Sequence, residues 1–143
     1  MDFNSLKDCV VLYVEDEKSV QTQTQMILKD FVKEVYLASS GEEGIKIALE
    51  KKVDIIVTDI LMPGMNGIEM LKKMKNEHGL KIPAIITTAF TETEYLIDAI
   101  TLKVDGFIMK PINVKDLISN MYTIMLPKMH TQQMQGCSFI VEG

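Results

Sequence analysis

The feature that most constrains the fold of this chain is an alternation of short, unbroken apolar runs with longer segments of helical apolar spacing. The runs are Cys9–Val14, Val35–Ala38, Ile55–Val57, Ile82–Ile86 and Gly106–Met109. A strand with one face in water alternates apolar and polar residues, whereas an unbroken run suits a parallel strand covered on both faces. Between the runs, apolar residues recur at helical intervals, as in Val20/Ile27/Phe31, Ile45/Ala48/Leu49, Ile68/Leu71/Met74, Leu96/Ile97/Ile100 and Leu117/Met121/Ile124. Helix starts are marked too. Ser40 and Thr91 each stand three residues before a glutamate, Glu43 and Glu94, that can reach back to the cap. Asn66 before Glu69 and Asn113 before Asp116 are looser forms of the same device. Five β-α units in series predict an α/β domain built on a doubly wound, five-stranded parallel sheet.

A length of 143 residues is one domain's worth, and 47% hydrophobic content with 24% charge supplies a real core. Mean hydropathy is slightly positive, +0.12, yet no apolar run approaches the ~18 residues that cross a bilayer. The opening Met1-Asp2-Phe3-Asn4 has no basic-then-apolar leader pattern. Cys9 and Cys137 make no disulfide framework and read as reduced thiols. These features predict a cytoplasmic chain that does not engage the membrane. A net charge of −5 argues against direct nucleic-acid binding by this chain, because gripping phosphates takes a basic surface. His78 and His130 lack any metal-ligand spacing and read as surface residues. After Pro127 the composition turns Gln- and Met-rich and then apolar at Phe139-Ile-Val141. The domain is therefore expected over residues 1–126, with 127–143 a tail or the start of a linker to a further domain.

In an open parallel sheet, functional side chains gather beyond the C-terminal ends of the strands. The first strand runs into Glu15-Asp16-Glu17, the third into Thr58-Asp59, the fourth into Thr87-Thr88-Ala89 and the fifth into Lys110-Pro111. Each has an ordinary explanation alone. Acidic residues favour a helix start, threonine favours strands, aspartate caps and turns chains, and a lysine before proline sits in a turn. Their occurrence together at one sheet edge is what carries information.

The segment Asp59-Ile-Leu-Met-Pro-Gly-Met-Asn-Gly67 makes the pattern specific. Here the chain resembles the receiver (response-regulator) domain of two-component signalling, whose acceptor loop reads Asp-x-x-Met-Pro-x-Met-x-Gly. The resemblance spans residues 6 to about 126 and includes Glu15-Asp16, Thr88-Ala89 and Lys110-Pro111. It implies a flavodoxin-like fold with strand order 2-1-3-4-5 and Asp59 as phosphoryl acceptor, served by Thr88 and Lys110. It implies Mg²⁺ held by Asp16, Asp59 and the backbone carbonyl of Leu61, with Glu15 holding a metal-bound water. The implied partners are a sensor histidine kinase or histidine phosphotransfer protein, and an output domain or target met through the face of the fourth helix, fifth strand and fifth helix. Ile100, Lys103, Phe107 and Asn113 are expected at that surface. The domain would catalyse its own phosphorylation and slow dephosphorylation without being a conventional enzyme.

Elementary electrostatics gives the set a reason. At ~5 Å and an effective dielectric of ~20, each like-charged pair represents a gross repulsion of about 3 kcal/mol. Adding a dianionic phosphoryl group to such a nest calls for a divalent cation and a basic side chain, and Mg²⁺ suits an all-oxygen site that keeps several waters. Two positions depart from the commoner family pattern. Glu15 replaces an aspartate with a longer arm, and Phe107 stands where a tyrosine is common, so a switch role there has no hydroxyl to use. By the same resemblance, the side chains two places after the acceptor and two after Thr88 flank the approach of a hydrolytic water, and here these are Leu61 and Phe90, both apolar. Neither can assist a hydrolytic water, which predicts a long-lived phosphorylated state. Two other classes fit less well. An aspartyl-phosphate phosphatase needs Asp-x-Asp after the first strand, where this chain has Glu15-Asp16-Glu17, and a flavodoxin needs a Ser/Thr/Gly-rich phosphate loop there.

Overall fold

The structure is a computed structural model that describes residues 3–89 and 94–135, with side chains described from 5 to 127 outside the gap. After a 3₁₀ turn (Phe3–Asp8), five strands and five helices alternate. They are β1 Val10–Val14, α1 Lys18–Leu28, β2 Glu34–Ala38, α2 Gly41–Glu50, β3 Ile55–Asp59, α3 Gly67–Asn76, β4 Ala84–Thr88, α4 Leu96–Leu102, β5 Gly106–Met109 and α5 Val114–Gln135. All pairings are parallel, and the order is β2-β1-β3-β4-β5, the one that the family resemblance implies. β1, β3 and β4 are buried at every position, which is why their sequences run apolar without alternation.

The sheet divides the core into two layers. Val11, Tyr13, Val57 and Ile85 face Leu28 of α1 and Leu117, Ile118 and Met121 of α5. Leu12, Val14, Ile56 and Ile86 face Ala48 of α2, Met70 and Met74 of α3, and Ala99 of α4. On that side, Gly41 and Gly44 leave hollows along α2, and the thioethers of Met65 and Met70 fill them. A Cβ at either glycine would crowd the sulfur.

Two helices turn a different face inward than their apolar spacing suggests. In α1 the buried residues are Gln21, Thr24 and Leu28, while Ile27 is exposed and Phe31 lies beyond the helix in a turn. At Gln21 the cause is polar: its amide donates to the Glu15 and Ala38 carbonyls at the ends of β1 and β2, where an alkyl group could not. In α4 only Ala99 is buried, and Ile97 and Ile100 are 73% and 65% exposed. Helix starts also differ in detail. Asn66 and Glu69 form the complete reciprocal capping box on α3. Ser40 caps Glu43 N–H, but Glu43 reaches back to the amide of Ser39. Thr91 lies outside the described residues.

α5 is 22 residues long with Pro127 inside it, so the helix continues past the composition change at that proline. Met125 is its last side chain in the core among the described residues. Phe139-Ile-Val141 and Cys137 lie outside the described residues.

Candidate functional site

Three strands deliver their last residues to one place. Glu15 follows β1 and is still held by the sheet, its amide donating to the Ala38 carbonyl at 2.9 Å. Asp59 closes β3 opposite Thr87 of β4, and Thr88 ends β4 opposite Met109. Lys110, the next residue, continues that pairing by donating its amide to the Thr88 carbonyl at 2.8 Å. The Lys110–Pro111 peptide is cis.

At this edge Glu15, Asp16 and Asp59 each offer a carboxylate oxygen within 4.8 Å of the others. Glu15 and Asp59 are buried, at 1% and 4% exposure, and Asp16 is exposed. The Lys110 ammonium lies 2.7 Å from Asp59 Oδ2 and 3.5 Å from Glu15 Oε1. Asp59 Oδ1 accepts from Ile60 N–H at 2.8 Å, and Glu15 Oε2 from Glu17 N–H at 3.1 Å. One cation thus faces two buried carboxylates and a third nearby. Burial pushes the Glu15 carboxyl above its ordinary range; the Asp59 and Asp16 charges add to this, against the Glu17 amide and Lys110. Glu15 Oε1 is buried without a hydrogen-bond partner. A buried acceptor short of donors beside two other carboxylates fits an oxygen-seeking divalent cation.

The other anticipated residues are distributed around this centre. Thr88 is buried and its hydroxyl donates to the Ala89 carbonyl at 3.2 Å. The Leu61 side chain is 47% exposed, and Phe107 on β5 is 37% exposed. Ile100, Lys103 and Asn113 are exposed as well. Phe90 lies outside the described residues.

Sequence reasoning missed the supports. Gln21, 2% exposed, places Nε2 at 2.9 Å from the Glu15 carbonyl, 3.1 Å from the Ala38 carbonyl and 3.3 Å from Ser39 Oγ. It ties α1 to the backbone that carries the acidic pair. Gly67 lies so close to β3 that a Cβ there would collide with the Asp59 carbonyl oxygen. Its amide donates to the Ile60 carbonyl at 2.8 Å, closing the loop after Asp59. The available signal for Gln21 was its place on α1, three residues before Thr24 and seven before Leu28.

Tyr13 sits beneath the cluster, fully buried. Burial raises its phenol from 10.0 to about 12; Thr24 pulls it back, though no hydrogen bond of good geometry reaches the hydroxyl. An acid with a raised folded-state value keeps its proton in the native protein while the unfolded chain loses it. Tyr13 therefore favours folding at neutral pH, and that contribution falls away as pH rises from 10 towards 12. Urea unfolding across that window should show a steeper loss of stability for the native sequence than for Tyr13→Phe. Parallel slopes would show that the phenol is not confined.

Comparison with known proteins agrees with this geometry. Residues 11–122 match the family model described as the response regulator receiver domain. The chain is 36% identical over 132 residues to the response regulator SaeR of Staphylococcus aureus, covering 90% of this chain and 57% of SaeR. It is 34% identical over 109 residues to the transcriptional regulatory protein DltR of Streptococcus agalactiae, covering 76% of this chain and 48% of DltR. It thus spans about half the length of these relatives. Among solved structures, the N-terminal domain of an uncharacterized Wolinella succinogenes protein superimposes with TM-score 0.80 at 34% identity, over 86% of this chain and 98% of that one. The chemotaxis response regulator CheY4 of Vibrio cholerae gives TM-score 0.74 at 27% identity, over 82% and 98%. No helix among the described residues is long and apolar enough to cross a membrane. The fold, the acidic cluster at its strand ends and these matches together make the chain a member of the response regulator receiver domain family of two-component systems.

Proposed function

We propose that Asp59 takes a phosphoryl group from a phosphohistidine of a sensor histidine kinase or histidine phosphotransfer protein, in a Mg²⁺-dependent reaction. The single observation that carries this reading is the buried Asp59 carboxylate paired with Lys110 inside a cluster of three carboxylates. An Asp59 oxygen forms the new O–P bond while the N–P bond of the donor breaks, and the electron pair leaves on the imidazole nitrogen. Asp59 is pre-aimed because Ile60 N–H holds Oδ1 and Lys110 holds Oδ2. As the phosphoryl group arrives, the Lys110 ammonium offers a charge-assisted bond to one of its oxygens, and the Thr88 hydroxyl turns from Ala89 to a second. Asp16, Asp59 and the Leu61 carbonyl would hold Mg²⁺, with Glu15 on a coordinated water; bound there, the ion neutralises charge on carboxylate and phosphoryl oxygens.

The movement of Thr88 and Lys110 is transmitted to the α4-β5-α5 face, where Phe107 and Ile100 stand exposed, and this face controls an output domain or target protein. The regulators DltR and SaeR support an output of that kind. Apolar Leu61 and Phe90 leave a hydrolytic water without a polar assistant, so the acyl phosphate persists. The chain works in the cytoplasm as a switch rather than a conventional enzyme.

The test is intact-mass spectrometry with acetyl phosphate. One phosphoryl mass should appear with Mg²⁺, be absent with chelator, and be absent in Asp59→Asn. Labelling that persists in Asp59→Asn, or that ignores divalent cations, removes the assignment.

A further inference from the structure

At the end of the sheet opposite the acidic cluster, α3 and α4 part around the start of β4 to leave a cleft of about 340 Å³. That volume lies in the ~300–1,000 Å³ range of small-molecule sites. Its floor is Ile56 and Ala84, both buried, and its walls are apolar, with Leu71 and Met74 from α3 facing Leu102 and Val104 from the α4 end. The rim has the opposite character. Lys75, Lys81 and Lys103 stand around it, all exposed, and none makes an ion pair among the described residues. The one acidic lining residue, Asp105, uses Oδ2 to accept from Ala84 N–H at 2.9 Å. On a chain of net charge −5, three lysines against one aspartate is a local reversal of sign.

Lys103 adds an independent observation. It ends α4 in the left-handed region, with φ of 62° and ψ of 49°. Glycine is usual at such a helix end because it carries no Cβ penalty. This chain instead sets a lysine there, at the cleft mouth.

We propose that this cleft binds a small amphipathic anion, with an apolar body on Ile56 and Ala84 and a single carboxylate among the three lysines. A bare inorganic anion would exchange its hydration for apolar walls. A neutral apolar molecule would leave the lysine field unused. An amphipathic anion satisfies both halves of the site.

The test titrates the full chain with decanoate, below its micelle threshold, and follows backbone amides by NMR. Decanol and sulfate serve as neutral and apolar-free comparisons. Decanoate should give saturable shifts at Ala84, Val104 and Asp105, with decanol and sulfate each at least about tenfold weaker. Reversing the rim with Lys75→Glu, Lys81→Glu and Lys103→Glu together should weaken decanoate by a similar factor. Leu80→Trp, which fills the cleft and leaves the charges alone, should abolish the shifts; a melting curve without ligand checks that each variant is folded. Absence of saturable decanoate shifts, equal affinity for decanol, or native affinity in the folded rim variant would each overturn the proposal.

Discussion

Gly67→Ala should lower the free energy of unfolding by about 3 kcal/mol, at the upper end of what one added methyl does in a packed interior. The added Cβ meets the Asp59 carbonyl oxygen, with the Asp59 carbonyl carbon and Thr58 Oγ1 each at 3.1 Å. The first two are backbone atoms of a central strand, not the yielding tip of a side chain, and the third is the hydroxyl of a short, buried threonine. Relief requires the start of α3 to move away from β3. That movement breaks the Gly67 N–H bond to Ile60 and shifts the capped turn of Asn66 and Glu69. The loop framing Asp59 moves with it, so phosphoryl uptake should fall in the same variant. Gly79→Ala is the control: nothing lies within 4 Å of its Cβ position, and only its φ of +66° opposes a side chain. Its loss should be about 1 kcal/mol. Urea unfolding of both variants without divalent cations checks the ranking, and equal losses would show that the close approach at Asp59 is not rigid.

Lys110→Met should destabilise the metal-free protein by about 3 kcal/mol, because removing one partner strands the other charge in low dielectric. Here it strands two, Glu15 and Asp59. Without the ammonium, the Glu15 carboxyl, already raised by burial, loses a charge that opposes that rise and shifts further toward its protonated form in the folded state. A carboxyl raised in the folded state favours folding as pH falls, so the gap between variant and native protein should narrow from neutral pH towards pH 5. Mg²⁺ should restore part of the lost stability by binding only the native state, while phosphoryl uptake stays low. Chemical denaturation at several pH values, with and without Mg²⁺, reads both effects. A gap independent of pH would mean that the ammonium does not hold down the buried Glu15 carboxyl.

What was legible in the sequence was whatever depends on local pattern. The runs beginning at Cys9 and Ile55 marked strands because burial on both faces demands unbroken apolar residues, and Asp59 was marked by its loop. What could not be read depends on contacts between distant segments. Gln21 looks like an ordinary polar helix residue until β1 and β2 bring the Glu15 and Ala38 carbonyls to it. The spacing of Val20, Ile27 and Phe31 pointed to another face of α1, since periodicity counts alkyl groups and cannot see the carbonyls that Gln21 meets. Likewise, Gly67 belonged to a motif, but its reason is a backbone that arrives from β3. Glu15 could be named as acidic, though only the sheet shows it buried.

The all-parallel register also has a consequence in time. No strand meets its partner through a tight hairpin; every one of the four pairings waits for an intervening helix to cross over. Each must therefore close a long loop before any interstrand bond repays the lost chain entropy. Folding should accordingly run slower than in helical bundles of this length, and during that interval Val10-Val-Leu-Tyr-Val14 is unprotected. The strand destined to be covered on both faces by the finished domain is the segment a newly made chain most needs to conceal from its neighbours.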